Sequence, residues 1–179
     1  MAEDAVIASG GTAAALESAA PATLASVIIR VADEQDAPGF IALAAQVEHW
    51  FGPMVEETGF RATIEKHIRR GTALVATSGP ALLGGLLLGI KPPTYHVHWL
   101  VISQHARRHG IGRALMADAM RTFVQGPATV EVVTFGADHP GAAESGARIF
   151  YERLGFIPAE AAPPGPEGGS RQVYRKAIP

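Results

Sequence analysis

Three extended runs in succession, then a helix that opens on glycines, then a fourth extended run, narrow what this chain can build. Thr72–Thr77 and Ala81–Ile90 flank Ser78-Gly79-Pro80, a turn tripeptide, so they read as a β-hairpin. Lys91-Pro92-Pro93-Thr94 breaks the chain, and Tyr95–Ile102 reads as the next strand. The helix begins near Gly110, with Ile111, Leu115, Ala119 and Phe123 on one face, and Ala128–Phe135 returns to strand. Consecutive strands followed by strand–helix alternation predict a mixed α/β sheet with helices on both faces.

The flanks complete the pattern. Ser26–Val31 is short and β-branched, hence a strand. Asp36-Ala37-Pro38 starts a helix carrying Phe40, Ile41, Ala44 and Val47. Glu57–Arg70 repeats Phe60, Ile64 and Ile68 every four residues and stops at Gly71 after a basic last turn. Gly136–Gly141 reads as a loop, Ser145–Arg153 as a helix closed by Gly155, Ala159–Ser170 as a Pro/Gly-rich loop and Arg171–Lys176 as a last strand. Residues 1–25 are Ala-rich with an acidic start, Met1-Ala2-Glu3-Asp4, where a secretory signal would be basic. They are expected to form a flexible leader to a single domain over 26–179.

Composition removes several classes of function. A net charge of −2 gives no basic field for nucleic acid. No apolar run is long enough to span a bilayer, so no membrane partner is expected. The absence of cysteine excludes disulfides, a thiol nucleophile and thiolate metal ligands, and fits a reducing cytoplasm. His96 and His98, two residues apart on one strand, are too few ligands for a transition metal, so no metal is expected. The excess of Ala, and of Arg over Lys, points to a GC-rich, bacterial genome.

The chemistry concentrates in Trp99–Met116, where a strand runs through a polar loop into a helix. A helix start offers unpaired backbone N–H groups and about half a positive charge from the dipole, which together suit a phosphate or pyrophosphate. Gly110 and Gly112 keep Cβ atoms out of the way, and Arg107, Arg108, His109 and Arg113 add positive charge. Leu115 stands where the dinucleotide fingerprint needs a third glycine. Arg113-Ala114 replaces the Lys-Ser/Thr of a P-loop. What remains is Arg-x-x-Gly-x-Gly, as Arg107-Arg108-His109-Gly110-Ile111-Gly112.

That motif resembles the coenzyme A pyrophosphate loop of the GCN5-related N-acetyltransferases (GNAT). Ala147–Phe156, a helix ending in Tyr151-x-x-x-Gly155-Phe156, looks like the same family's closing motif. The resemblance spans about Ser26 to Lys176. It implies a mixed, mostly antiparallel sheet in which two parallel strands, here Tyr95–Ile102 and Ala128–Phe135, splay around a pantetheine arm. It also implies acetyl-CoA as cosubstrate, pantetheine paired with the backbone of Leu100, Val101 and Ile102, and pyrophosphate held by the amides of Arg108, His109, Gly110, Ile111, Gly112 and Arg113. The implied reaction is transfer of acetyl to a primary amine by direct attack, with Tyr151 as general acid beside the thioester.

The base is open between His96, His98 and Glu131. A histidine with pKa near 6.5 can take a proton at neutral pH, and a Glu on the second strand matches other members of the family. The family often carries Asn seven residues before the Tyr, where Glu144 stands here. Acceptor walls are expected from Trp50-Phe51-Gly52-Pro53-Met54, Pro92–Tyr95 and the two late loops, with Trp50 and Phe51 favoured as core anchors. The acceptor is a small-molecule amine, an amino acid or a peptide or protein amine. Many family members pair, which makes a homodimer the oligomer to expect. The rival readings are a non-catalytic acyl-CoA sensor and a partner-binding domain without coenzyme A.

Overall fold

A computed structural model describes residues 26–179; the leader expected over 1–25 lies outside the described residues. The strands are β1 (Ile28–Val31), β2 (Ala73–Ser78), β3 (Ala81–Lys91), β4 (Thr94–Ile102), β5 (Ala128–Phe135), β6 (Ile157–Ala162) and β7 (Arg171–Ile178). The helices are α1 (Ala37–Ala45), α2 (Glu48–Phe51), α3 (Thr58–Arg69), α4 (Ile111–Phe123), α5 (Pro140–Ser145) and α6 (Ala147–Arg153). One seven-stranded sheet has the order β1-β2-β3-β4-β5-β7-β6, and only β4 and β5 run parallel. It is the mixed, mostly antiparallel sheet the sequence predicts.

Period-2 alternation divides the core between the two faces. Leu74, Leu86, Tyr95, Val97 and Val130 meet Ile111, Leu115, Met116 and Ala119 of α4 and Tyr151 of α6. On the other face Phe40 of α1 and Ile64 and Ile68 of α3 cover Ala73, Val75 and Leu87. The glycines of β3 let both layers close on the sheet. A Cβ at Gly85 would stand 2.6 Å from the Phe40 ring, and one at Gly84 would stand 2.6 Å from Ile102.

Two stretches differ from the sequence expectation. Ala159–Ala162 belong to β6, because Ala161 and Ala162 pair with Gln172 and Arg171, so the loop shortens to 163–170. The chain after Gly136 folds sooner than expected. His139 caps α5 by accepting from Gly141 N–H at 2.9 Å, with Pro140 in the first turn. Gly146, left-handed at φ 66°, separates α5 from α6, so the helix expected over Ser145–Arg153 starts at Ala147.

Candidate active site

A β-bulge and a truncated ladder open the sheet at its centre. Leu87 of β3 faces Trp99 and Leu88 faces Val97, which leaves His98 as the extra residue on β4. The parallel ladder to β5 runs from Thr94↔Thr129 to Val97↔Val132 and then stops. Beyond it β4 stays paired with β3 through Leu100, Val101 and Ile102, while Val133–Phe135 of β5 pair only with β7. The edge of β4 facing β5 is therefore unpaired from His98 onward. A strand-like ligand could use the hydrogen-bonding groups left there. A cleft of about 460 Å³ occupies this gap, lined among others by Val97, His98, Leu100, Val132, Thr134 and Tyr151.

At the end of β4 the backbone makes a left-handed turn into α4. Arg108 has φ 66° and Gly110 φ 79°, the first of them rare for a residue with a side chain. Left-handed residues close together in a turn aim their amides inward as an anion-binding nest. Gly110 is the N-cap and provides no side-chain cap, so the first-turn amides of α4 remain for an anion. Arg108, His109 and Arg113 are exposed around the turn. Arg107 points elsewhere. Its Nε donates to the Ile102 carbonyl at 3.3 Å and its guanidinium lies 5.0 Å over the Trp50 ring, so it ties the loop to β4 and α2.

The two motif glycines differ in their physical roles. Nothing lies within 4 Å of a Cβ placed on Gly110, so that position needs glycine for its dihedral angle alone. A Cβ on Gly112 would sit 3.2 Å from the Phe150 ring, so that glycine serves close packing of α4 on α6. Gly110→Val should cost ~1–2 kcal/mol of stability through its φ. Displacement of the amides should raise the KM for acetyl-CoA by about tenfold, read by steady-state titration; an unchanged KM would show that the turn does not hold the cosubstrate.

Tyr151 is 6% exposed on α6, against Phe150 and Phe156. Burial pushes its phenol pKa up, so it stays protonated across the neutral range. Among the described residues no side-chain polar atom is sealed from solvent without a partner, and none hydrogen-bonds to this hydroxyl. The hydroxyl therefore opens on the cleft. Of the three base candidates, His98 lines that cleft. Glu131 accepts from Arg175 Nε at 2.5 Å, and its other oxygen is 3.4 Å from His96 Nδ1. Glu131 is thus engaged by Arg175 and lies against His96, whose ring stacks 6.1 Å from His98.

The sequence reading missed two contacts. His67 of α3 reaches His98, with Nε2 and Nδ1 3.1 Å apart. Its signal was a titratable side chain at an apolar-face position beside Ile64 and Ile68. Glu144, where the family pattern has Asn, accepts from the Trp50 indole N–H at 2.7 Å and so fastens α5 to α2. Trp50 is a buried anchor as expected. Phe51 instead stacks on Phe135 at 4.7 Å and forms part of the cleft wall with Pro53, Met54 and Phe60.

With this geometry in place, the comparisons give the class. Residues 69–158, 90 of the 179 in the chain, match the acetyltransferase (GNAT) domain family, and the chain belongs to it. No curated protein matches the sequence. Solved structures share the fold at low identity. A GNAT-family protein from Desulfovibrio desulfuricans is 22% identical, with a TM-score of 0.66 over 86% of this chain and 100% of that one. PaiA N-acetyltransferase from Thermoplasma acidophilum, in complex with coenzyme A, is 18% identical, with a TM-score of 0.70 over 86% and 99%. Naa50 from Arabidopsis thaliana, bound to the bisubstrate analogue CoA-Ac-MVNAL, is 16% identical, with a TM-score of 0.65 over 86% and 99%.

Proposed function

We propose that this chain is an acetyl-CoA-dependent N-acetyltransferase that moves the acetyl group onto a primary amine by direct attack in a ternary complex. The observation that carries the reading is continuity. The unpaired edge of β4 runs straight into the nest at Arg108–Gly110, and the Tyr151 phenol opens into the same cleft. The nest amides and the dipole of α4 hold the pyrophosphate. The free backbone groups of Leu100–Ile102 align the pantetheine arm. Coenzyme A bound to the Thermoplasma protein and the bisubstrate analogue bound to the Arabidopsis protein support this assignment.

An alkyl amine with pKa near 10.4 reaches the site as the ammonium ion and must lose a proton before it attacks. His98 is the base of this proposal, since it lines the cleft without a carboxylate partner. The new C–N bond forms as the C–S bond breaks, and the departing thiolate takes the Tyr151 proton. The acceptor enters past Phe51, Met54 and Phe60, with Glu57 the one acidic residue lining the cleft among the described residues.

The test is thiol release from acetyl-CoA across a panel of ethanolamine, 2-phenylethylamine, spermidine, lysine and a peptide with a free N-terminus. Amine-dependent release and an acetylated product are expected. Coenzyme A binding without transfer to any of them would replace the enzyme by an acyl-CoA sensor.

A further inference from the structure

We propose that His67 is a positioning residue that fixes the ring orientation and tautomer of His98, holding its Nε2 ready to take the amine proton. The inference rests on the reading of His98 as the base, and it concerns a residue on a different element that does not line the cleft.

The observations are geometric. His67 is 6% exposed, on the inner face of α3. Its Nδ1 lies 2.8 Å from Thr72 Oγ1 and its Nε2 3.1 Å from His98 Nδ1, so both ring nitrogens are engaged. The two rings meet edge to face at 78°. Thr72 Oγ1 also reaches the His67 carbonyl at 3.5 Å. When the hydroxyl donates to that carbonyl it offers the ring only lone pairs, and in the tautomer proposed here His67 Nδ1 carries the hydrogen and Nε2 is the acceptor. His98 must then donate from Nδ1, which leaves its Nε2 as a lone pair with no partner among the described residues. The opposite setting would place a hydrogen on His98 Nε2 and disable it as a base.

Position is fixed from the other side by Gly89. A Cβ there would stand 2.5 Å from His98 Cε1 and 2.6 Å from Nε2, so the ring lies directly on the β3 backbone. The His98 ring is thus held between α3 and β3 at the bulge that frees the β4 edge.

The charges around the pair decide where the proton stops. His67 faces His98, Lys66 and Arg70, with the Leu88 backbone acting in the opposite sense; burial first, and then these charges, hold its pKa at about 4. His98 faces His67, His96 and Lys66, with Glu131 beyond His96. Burial, then the His96 charge, sets its pKa below the ordinary value. Burial among the Lys66, Arg70 and His98 charges keeps His67 neutral when His98 takes a proton. His67 therefore orients His98 and accepts its N–H without taking the proton onward.

The experiment combines kinetics and ¹⁵N NMR of the histidines in the full chain, with acetyl-CoA and the fastest amine of the panel above. In the wild-type protein His98 should be protonated at Nδ1. His67→Ala should lower kcat tenfold or more with the KM for acetyl-CoA unchanged. His67→Gln, whose carbonyl can accept the same hydrogen, should recover most of the rate. His98→Ala reports separately on the base. If that variant keeps full turnover, His98 is not the base; if it is inactive while His67→Ala matches wild type in rate, His67 does not position it. A wild-type spectrum with His98 protonated at Nε2 overturns the proposal even if His67→Ala fails to fold.

Discussion

Replacing Tyr151 by phenylalanine should lower kcat by about 100-fold or more while leaving the KM for acetyl-CoA and the fold intact. The size follows from the leaving group. A thiol of pKa about 8.5 departs poorly as a bare anion, and a positioned acid contributes on the order of 10²–10⁴. The fold is spared because the Tyr151 hydroxyl has no hydrogen-bond partner among the described residues, whereas its ring packs on Phe150 and Phe156, contacts that phenylalanine keeps. Thermal denaturation should therefore match wild type within ~1 kcal/mol. A variant that loses stability together with rate would make Tyr151 a core aromatic and no acid.

The second large effect lies in the acid range. The ordinary histidine pKa is 6.5, and burial and neighbouring charges place folded His67 at about 4. The unfolded chain therefore binds a proton near pH 6.5 that the folded chain refuses until about pH 4. Stability from this group is complete above pH 6.5 and is lost as the pH falls from 6.5 to 4, at about 1.4 kcal/mol per pH unit and ~3 kcal/mol in all. His98 shifts in the same direction and adds to the slope. Carboxylates held below their ordinary range, such as Glu167, act only at lower pH. Urea unfolding at pH 7 and pH 5 should differ by about 2 kcal/mol in wild type and much less in His67→Gln. Equal slopes in the two proteins would contradict the buried neutral His67.

Much of this architecture is legible in the sequence because its determinants are local. The Ser78-Gly79-Pro80 turn, the four-residue repeat of Phe60, Ile64 and Ile68 and the glycine at 110 each act within one or two turns of chain. β6 escaped notice because Ile157–Ala162 has little intrinsic strand character, and its pairing with β7 across the sheet edge makes the strand. The break at Gly146 was hidden because a helix pattern can read through a glycine whose left-handed geometry only the folded chain reveals.

The site divides the same way. The nest and Tyr151 were visible as motifs. The proposal of His98 over His96 and Glu131 rests on long-range facts that spacing does not carry: Arg175 reaching Glu131 from β7, and α3 bringing His67 to His98. Nothing in the spacing of residues 67 and 98 announces that meeting. Arg107 shows the reverse case, a motif residue whose side chain serves the fold by stacking on Trp50.

The bend at residues 108–113 must hold a diphosphate if the chain is to use coenzyme A as proposed. Soaking or co-crystallising the chain with coenzyme A tests this directly. The predicted result places the pyrophosphate on the amides from Arg108 to Arg113, with the pantetheine arm along the open edge of β4. Coenzyme A bound elsewhere, or absent from this bend at saturating concentration, would contradict it.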